Sequence, residues 1–181
     1  SRLMGIPTLI ETLTASNSAS LADTSSMTST YDEYMFVCTD IAPATDDTEF
    51  GFQVNVDGQS GYNETITSTS FVAYQSESGS ATSLAYHTST DLGQGTAYQL
   101  LSWDSGNGSD ESLAGILHIY SPSNTTYVTN FTWRSSEYYQ SDYEWSQFTS
   151  GYINATGAIT DISFKFSSGN FDGVIQIYGI A

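Results

Sequence analysis

Short stretches of alternating apolar and polar residues recur along the whole chain, and turn-forming residues separate them. The clearest stretch runs from Phe50 to Val56, where Phe and Val alternate with Gly, Gln and Asn. This alternation has the period of a half-buried antiparallel strand. Asp57 and Gly58 end it, and we expect a short hairpin reaching Tyr62. Because no long segment shows a helical period, the chain is expected to be all-β.

About nine to ten strands are expected at intervals of roughly 8–12 residues, the spacing typical of a β-sandwich or jelly roll. They lie at residues 8–14, 31–40, 50–56, 70–75, 98–103, 113–120, 127–134, 151–154, 162–166 and 174–178. Residues 135–145 are interpreted as a long polar loop. A length of 181 residues suits one domain. We therefore predict a single antiparallel sandwich over residues 8–181, with an N-terminal arm of residues 1–7.

The last two strand signals are expected to form a closing hairpin. Phe164 and Phe166 share one face of a strand, and Ile175 and Ile177 alternate with polar residues after a turn at residues 167–170. The first and last strands of such sandwiches often lie side by side. That arrangement would pair residues 9–13 with residues 174–178 and leave the arm free.

The end of the chain also carries a resemblance. Residues 164–170 read Phe-Lys-Phe-Ser-Ser-Gly-Asn, and residues 175–180 read Ile-Gln-Ile-Tyr-Gly-Ile. These segments resemble the closing signature of a family of virion-associated structural proteins of tailed bacteriophages, particularly marine ones. The similarity extends to residues 9–16, 29–36, 50–63 and 137–143. It implies a place in a virion without implying which place, and it brings no catalytic motif.

Charge narrows the range of partners. Twenty acidic residues face three basic ones, which gives a net charge of −17. Nucleic acid is excluded as a partner, because three scattered cations cannot form the basic groove that phosphates require. The same acidity disfavours anionic membrane surfaces, and no run approaches the roughly 20 apolar residues of a membrane span. Basic partner surfaces and divalent cations remain compatible with this charge.

Catalytic patterns are weak throughout. His118 lies among apolar residues of a strand and His87 is isolated, so neither is interpreted as a catalytic base. Asp142 and Glu144 have the spacing of paired glycosidase carboxylates, but they fall in the expected polar loop. No nucleophile or cofactor motif is present. We therefore expect no enzymatic activity and no cofactor, and glycoside hydrolysis is the most distant alternative.

One glycine-rich loop offers weak metal candidates. Asp104 and Asp110 lie at alternate positions with Gly106 and Gly108, as oxygen ligands of calcium loops often do. A terminal glutamate at the expected offset is missing, and the same residues suit any tight turn. We interpret the segment as a plain loop. Cys38, the single cysteine, is interpreted as a small buried hydrophobic residue.

An aromatic-rich span follows. Trp133, Phe148 and Tyr152 are assigned to the core under one interpretation, in which the remaining aromatic residues cover a sheet edge. Under the other interpretation the remaining aromatic residues form a binding surface for protein or sugar. The candidate interface residues are Tyr138, Tyr139, Tyr143 and Trp145.

The arm is the second candidate site. Leu3, Met4 and Ile6 have no obvious place in the core, so they are candidates for an anchor to a larger assembly, and a disordered terminus is the alternative. The leading hypothesis is a non-enzymatic structural protein on the virion surface, as capsid decoration or part of a fibre. Its partners would be other virion proteins and copies of itself, in a homo-oligomer. The alternative is a tail-tip module that binds a receptor or a host-surface glycan.

Overall fold

The computed structural model describes residues 5–181, which form twelve β-strands and no helix. The all-β prediction is confirmed, with slightly more strands than expected. The strands are β1 (Thr8–Ser18), β2 (Leu21–Asp23), β3 (Glu33–Pro43), β4 (Phe50–Val56), β5 (Ile66–Ser76), β6 (Thr82–Tyr86), β7 (Gln99–Leu100), β8 (Leu113–Tyr120), β9 (Thr129–Tyr139), β10 (Tyr143–Ile153), β11 (Ile159–Phe166) and β12 (Phe171–Ile180).

Two antiparallel sheets of unequal width make a β-sandwich. The wide sheet has eight strands in the order β1-β12-β3-β8-β9-β10-β5-β6, and the narrow sheet has four in the order β2-β11-β4-β7. The core between them is strongly aromatic: the ring of Phe164 lies 5.7 Å from Phe36 and 5.9 Å from Phe50 between ring centroids. Along the strands of both sheets, every second side chain points toward the core, as the sequence predicts.

The closing hairpin is a wrong prediction. β11 belongs to the narrow sheet and β12 to the wide sheet, so the largely exposed residues 167–170 connect the two sheets at one end of the sandwich. Phe166 and Phe171, at the two ends of this connection, are buried with ring centroids 5.7 Å apart. Both strands have an apolar face. Because β11 and β12 lie in opposite sheets, each strand buries its apolar face in the core between the sheets.

The pairing of the first and last strands is confirmed. Leu9 lies opposite Tyr178 and Leu13 opposite Ile175 in the β1–β12 ladder. Gly5 extends this alignment, because a Cβ built on it would lie 2.5 Å from the Ile180 side chain. Residues 5–8 and 179–181 therefore lie at the same end of the wide sheet. In the predicted arm, Ile6 is 88% exposed, and Leu3 and Met4 lie outside the described residues.

β4 has the predicted bounds but not the predicted environment. Its outward residues Gln53 and Asn55 are as buried as its inward phenylalanines, so the strand is not half-exposed. The Gln53 amide donates to the backbone carbonyls of Glu64 and Ala97, which belong to loops that cover the strand. The expected short hairpin is also wrong, since β5 lies in the other sheet.

Residues 135–145 are not a loop. They complete β9 and begin β10, and only residues 140–142 form the turn between them. The pattern is hidden in the sequence because several inward residues here are polar, including Ser135 and Glu137. Inward and outward side chains do alternate along these strands, but polar residues occupy inward positions, so apolar and polar residues do not alternate in the sequence. This hairpin places the candidate aromatic residues.

Candidate functional site

Four aromatic side chains meet on the inner face of the wide sheet, beyond the edge of the narrow sheet. We call Tyr74, Tyr139, Tyr143 and Trp145 the aromatic cluster. Trp145 lies opposite Tyr74 in the β10–β5 ladder, and Tyr143 lies opposite Tyr139 in the β10–β9 ladder. Strand register therefore brings together residues from three neighbouring strands. Tyr74 is missing from the sequence-based candidates because this register cannot be read from the sequence.

The rings of the aromatic cluster pack on one another. Trp145 is sandwiched in offset stacks, with its centroid 5.5 Å from Tyr74 and 5.2 Å from Tyr139. Tyr143 meets both tyrosines edge-on, at 5.6 and 6.0 Å. Together with Ser141 these side chains line an open cavity of about 320 Å³. The Trp145 indole N–H is buried and has no hydrogen-bond acceptor among the described residues.

Tyr138 is separated from the other candidate residues. It is adjacent to Tyr139 in the strand, so its side chain lies on the opposite face of the sheet. Its hydroxyl donates to Asp142 at 3.2 Å. Partial desolvation, followed by the charges of Glu77 and Asp142, raises the pKa of Tyr138 to about 12. Tyr138 lines a second open cavity with Tyr143 and Glu144.

A buried carboxyl group lies next to the aromatic cluster, on the same inner face of the wide sheet. Glu137, opposite Trp145 in the ladder, is 2% exposed and accepts a hydrogen bond from the Ser105 hydroxyl. Burial raises its pKa to about 8, although the Ser105 hydrogen bond opposes the shift. At neutral pH this side chain is therefore mainly protonated. Its Oε2, like Oε1 of Gln147 and Oγ of Ser135, has no partner among residues 5–181.

The two weak metal candidates lie in different environments. Asp104 accepts a hydrogen bond from the Tyr139 hydroxyl at 2.7 Å, and its contact with Asp47 raises the pKa of the Asp47 carboxyl. Asp110 is exposed and lies close enough to Tyr138 for its charge to affect that phenol. Residues 5–181 contain no group of three or more His, Cys, Asp or Glu side chains arranged to hold a metal ion.

The histidines and the paired carboxylates also have separate places. His118 contacts Glu33 on the outer face of the wide sheet, and its ring stacks on Tyr120. The His87 ring packs against Trp103 and Trp145, and burial lowers its pKa. Asp142 lies at the β9–β10 turn, and Glu144 accepts hydrogen bonds from Ser136 and Ser146. Cys38 is buried, as predicted, and burial raises the pKa of its thiol.

The outer face of the wide sheet carries a row of side chains that crosses all eight strands. We call this the outer row; its members lie directly opposite one another in successive ladders, and they are Tyr86, Phe71, Phe148, Arg134, Ile116, Val37, Gln176 and Thr12. The Phe71 and Phe148 rings stack at 4.8 Å and 4°, with the Arg134 guanidinium 5.3 Å from the Phe148 centroid. No acidic residue interrupts the row.

No protein-family model, curated protein or solved structure matches this chain. Within residues 5–181 there is no helix with the length and apolar character needed to cross a membrane.

Proposed function

We propose that this chain is a non-enzymatic structural protein on the exterior of a tailed-phage virion, either as capsid decoration or as part of a fibre. The observation that carries the proposal is the outer row. It presents aromatic and aliphatic side chains on five of the eight strands of an exposed sheet, in a chain that is otherwise strongly acidic. Exposed apolar surface of this kind is typical of protein interfaces.

The geometry of the outer row favours protein over sugar as its partner. Phe71 and Phe148 stack at 4.8 Å, which is the spacing of neighbouring strands, so the two rings stand upright on the sheet and cover each other's faces. A sugar ring stacks on an open aromatic face, whereas upright rings present their edges. Side chains of another protein surface can pack between such edges.

The arm supports attachment to a larger particle. Ile6 is almost fully exposed and lies next to the end of the wide sheet where β1 and β12 pair. We propose that Leu3, Met4 and Ile6 anchor the domain by inserting into another virion protein. An apolar segment of this kind contributes binding energy only when it becomes buried in a partner.

The test is to locate and count the chain in purified virions. Imaging of particles, combined with quantitative mass spectrometry, is expected to find this β-sandwich at the exterior in many copies. Removal of residues 1–7 is expected to leave a folded domain that no longer joins the particle. A truncated protein that still assembles would overturn the arm as the anchor.

A second candidate function is glycan binding at a tail tip, and the cavity at the aromatic cluster favours it. Its lining combines the aromatic cluster, whose three tyrosines carry hydroxyl groups, with Ser141. Hydrogen-bonding groups beside aromatic surface are what a sugar requires. This function needs few copies per particle, whereas decoration of a capsid needs many.

Two neighbouring tyrosines make a matched pair for testing the second candidate. In titrations of the purified protein with glycans that an array identifies, Tyr139→Ala is expected to weaken binding at least about tenfold, by loss of its cavity contacts. Tyr138→Ala, on the other face, is expected to leave the affinity unchanged. Absence of binding at millimolar sugar would reject the candidate, and so would equal losses in both variants.

A further inference from the structure

The wide sheet ends in an edge strand with unusual properties. β6 pairs with β5 on one side, and it is the last strand in the order of the sheet. The N–H of His87 donates to Ser70 and the N–H of Ser76 donates to Ala81, so the odd-numbered residues of β6 direct their backbone groups toward β5. Thr82, Leu84 and Tyr86 therefore direct their N–H and C=O groups outward.

This edge lacks the usual protection against pairing. Natural edge strands are kept apart by charged side chains, proline or very short length. In the other three edge strands, β1 contains Glu11, β2 contains Asp23, and β7 has two residues. β6 has five residues without charge or proline, and its Leu84 and Tyr86 are 72% and 54% exposed.

We propose that β6 pairs in an antiparallel manner with β6 of a second copy of this chain, joining two wide sheets edge to edge. In this register Leu84 lies opposite its own counterpart, and Thr82 lies opposite Tyr86 of the partner. Every residue that directs its backbone groups outward then has a partner. Because both copies use the same edge, the contact closes as a two-fold dimer and cannot extend into a filament.

Charge selects a second copy as the occupant. Two chains of net charge −17 repel each other over most of their surfaces. Residues 78–90, which include β6, contain no Asp, Glu, Lys or Arg. The carboxylate that contacts the strand is Asp91, which accepts a hydrogen bond from the Tyr86 hydroxyl, so two copies meet less repulsion here than over the rest of the acidic surface. A basic partner would gain nothing from an uncharged edge and would bind to the acidic surface elsewhere.

The dimer would leave the outer row accessible and extend it. The two-fold axis of this pairing is perpendicular to the sheet, so the outer faces of both copies point the same way. Tyr86, at the end of the outer row, lies beside the partner strand. The dimer concerns how the chain associates and not where it resides, so it would form whether or not the proposed function is correct.

The first test is the oligomeric state of the full chain in solution. Analytical ultracentrifugation is expected to show a dimer for the unmodified protein, and Leu84→Lys is expected to halve the mass at the same concentration. The matched control is Leu9→Lys, at an exposed leucine on the opposite edge strand, and it is expected to remain dimeric. A monomeric unmodified protein would overturn the proposal.

Cysteine variants test whether β6 forms the dimer contact and whether Leu84 lies opposite its counterpart. Residues opposite each other in a hydrogen-bonded antiparallel pair have Cα atoms about 5.5 Å apart, a distance that a disulfide spans. Leu84→Cys is therefore expected to form a covalent dimer on mild oxidation, whereas Leu9→Cys is not. A Leu84→Cys protein that does not cross-link, or a dimer that Ile116→Lys disrupts while Leu84→Lys does not, would place the interface elsewhere and contradict the inference.

Discussion

At the scale of single residues, Glu137 makes the sharpest prediction. Its pKa in the folded chain is about 8, above the ordinary glutamate value of 4.5, because the carboxyl group is buried. Between pH 4.5 and pH 8 the carboxyl group is therefore mostly protonated in the folded chain and mostly ionised in the unfolded chain. The stability from this group is fully present below pH 4.5 and is lost as pH rises to 8.

Glu137→Gln is expected to remove this dependence. The free energy of unfolding of the variant, relative to the unmodified protein, should rise between pH 5 and pH 8 by up to about 4 kcal/mol, at about 1.4 kcal/mol per pH unit. Urea unfolding at the two pH values measures the difference. Glu144→Gln, on the exposed face, is the control and should show no such rise. Parallel pH profiles for the unmodified protein and Glu137→Gln would contradict a buried neutral carboxyl.

Gly115 makes a steric prediction. A Cβ at this position would lie 2.4 Å from the Trp133 ring and 2.8 Å from the Arg134 carbonyl, and neither the buried indole nor the backbone can move away easily. Gly115→Ala is expected to lower the free energy of unfolding by about 1–3 kcal/mol. Gly93→Ala is the matched control, since nothing lies within 4 Å of the added carbon. Thermal unfolding compares the two, and equal midpoints would show that the sheet accommodates the methyl group.

At the scale of elements, the sequence predicts strands best where one face is apolar. The predicted strands at residues 50–56 and 113–120 have the bounds of β4 and β8. β6 has no predicted counterpart because its side chains are mostly exposed, so it has no apolar face to reveal it. The β9–β10 hairpin was hidden for the opposite reason, since buried Ser135, Glu137 and Gln147 replace apolar residues with polar ones.

The sequence predicts the candidate site only in part, because it shows which residues are aromatic but not how the strands align. Aromatic density in the sequence points to Tyr139, Tyr143 and Trp145, which the structure does bring together. The sequence groups Tyr138 with them because adjacent residues look equivalent until a strand places their side chains on opposite faces. Tyr74 comes from a strand about seventy residues away, and only the β10–β5 register places it against Trp145.

β12 makes the prediction at this scale. It lies between β1 and β3, and its Phe171, Ile175 and Ile177 are fully buried. Each such side chain contributes about 1.5–3 kcal/mol, from a total domain stability of about 5–15 kcal/mol. Deletion of residues 170–181 is therefore expected to leave no folded protein, as circular dichroism and proteolysis would show. Deletion of residues 1–7 is the contrasting control, and a cooperative unfolding transition in the longer deletion would contradict this account of the sheet.

At the scale of the whole molecule, negative charge is expected to determine how salt affects the stability of the fold. Twenty acidic residues face three basic ones, and among the described residues the close contact between a basic and an acidic side chain joins His118 to Glu33. Salt should therefore screen far more repulsion than attraction. We expect the melting temperature to rise between 10 mM and 1 M NaCl, measured by scanning calorimetry. A falling melting temperature would mean that attractive pairs outweigh the repulsion.

Particle imaging decides whether this sandwich lies on the exterior of a virion, as proposed. Electron cryo-microscopy of purified virions of a phage proposed to encode this chain, with copy number from mass spectrometry, compares the density with the twelve-stranded domain. The account predicts an exterior β-sandwich in many copies, with the outer row or the arm against a neighbouring protein. A purified virion that contains no copy of this chain, or a chain found only in infected cells, would contradict it.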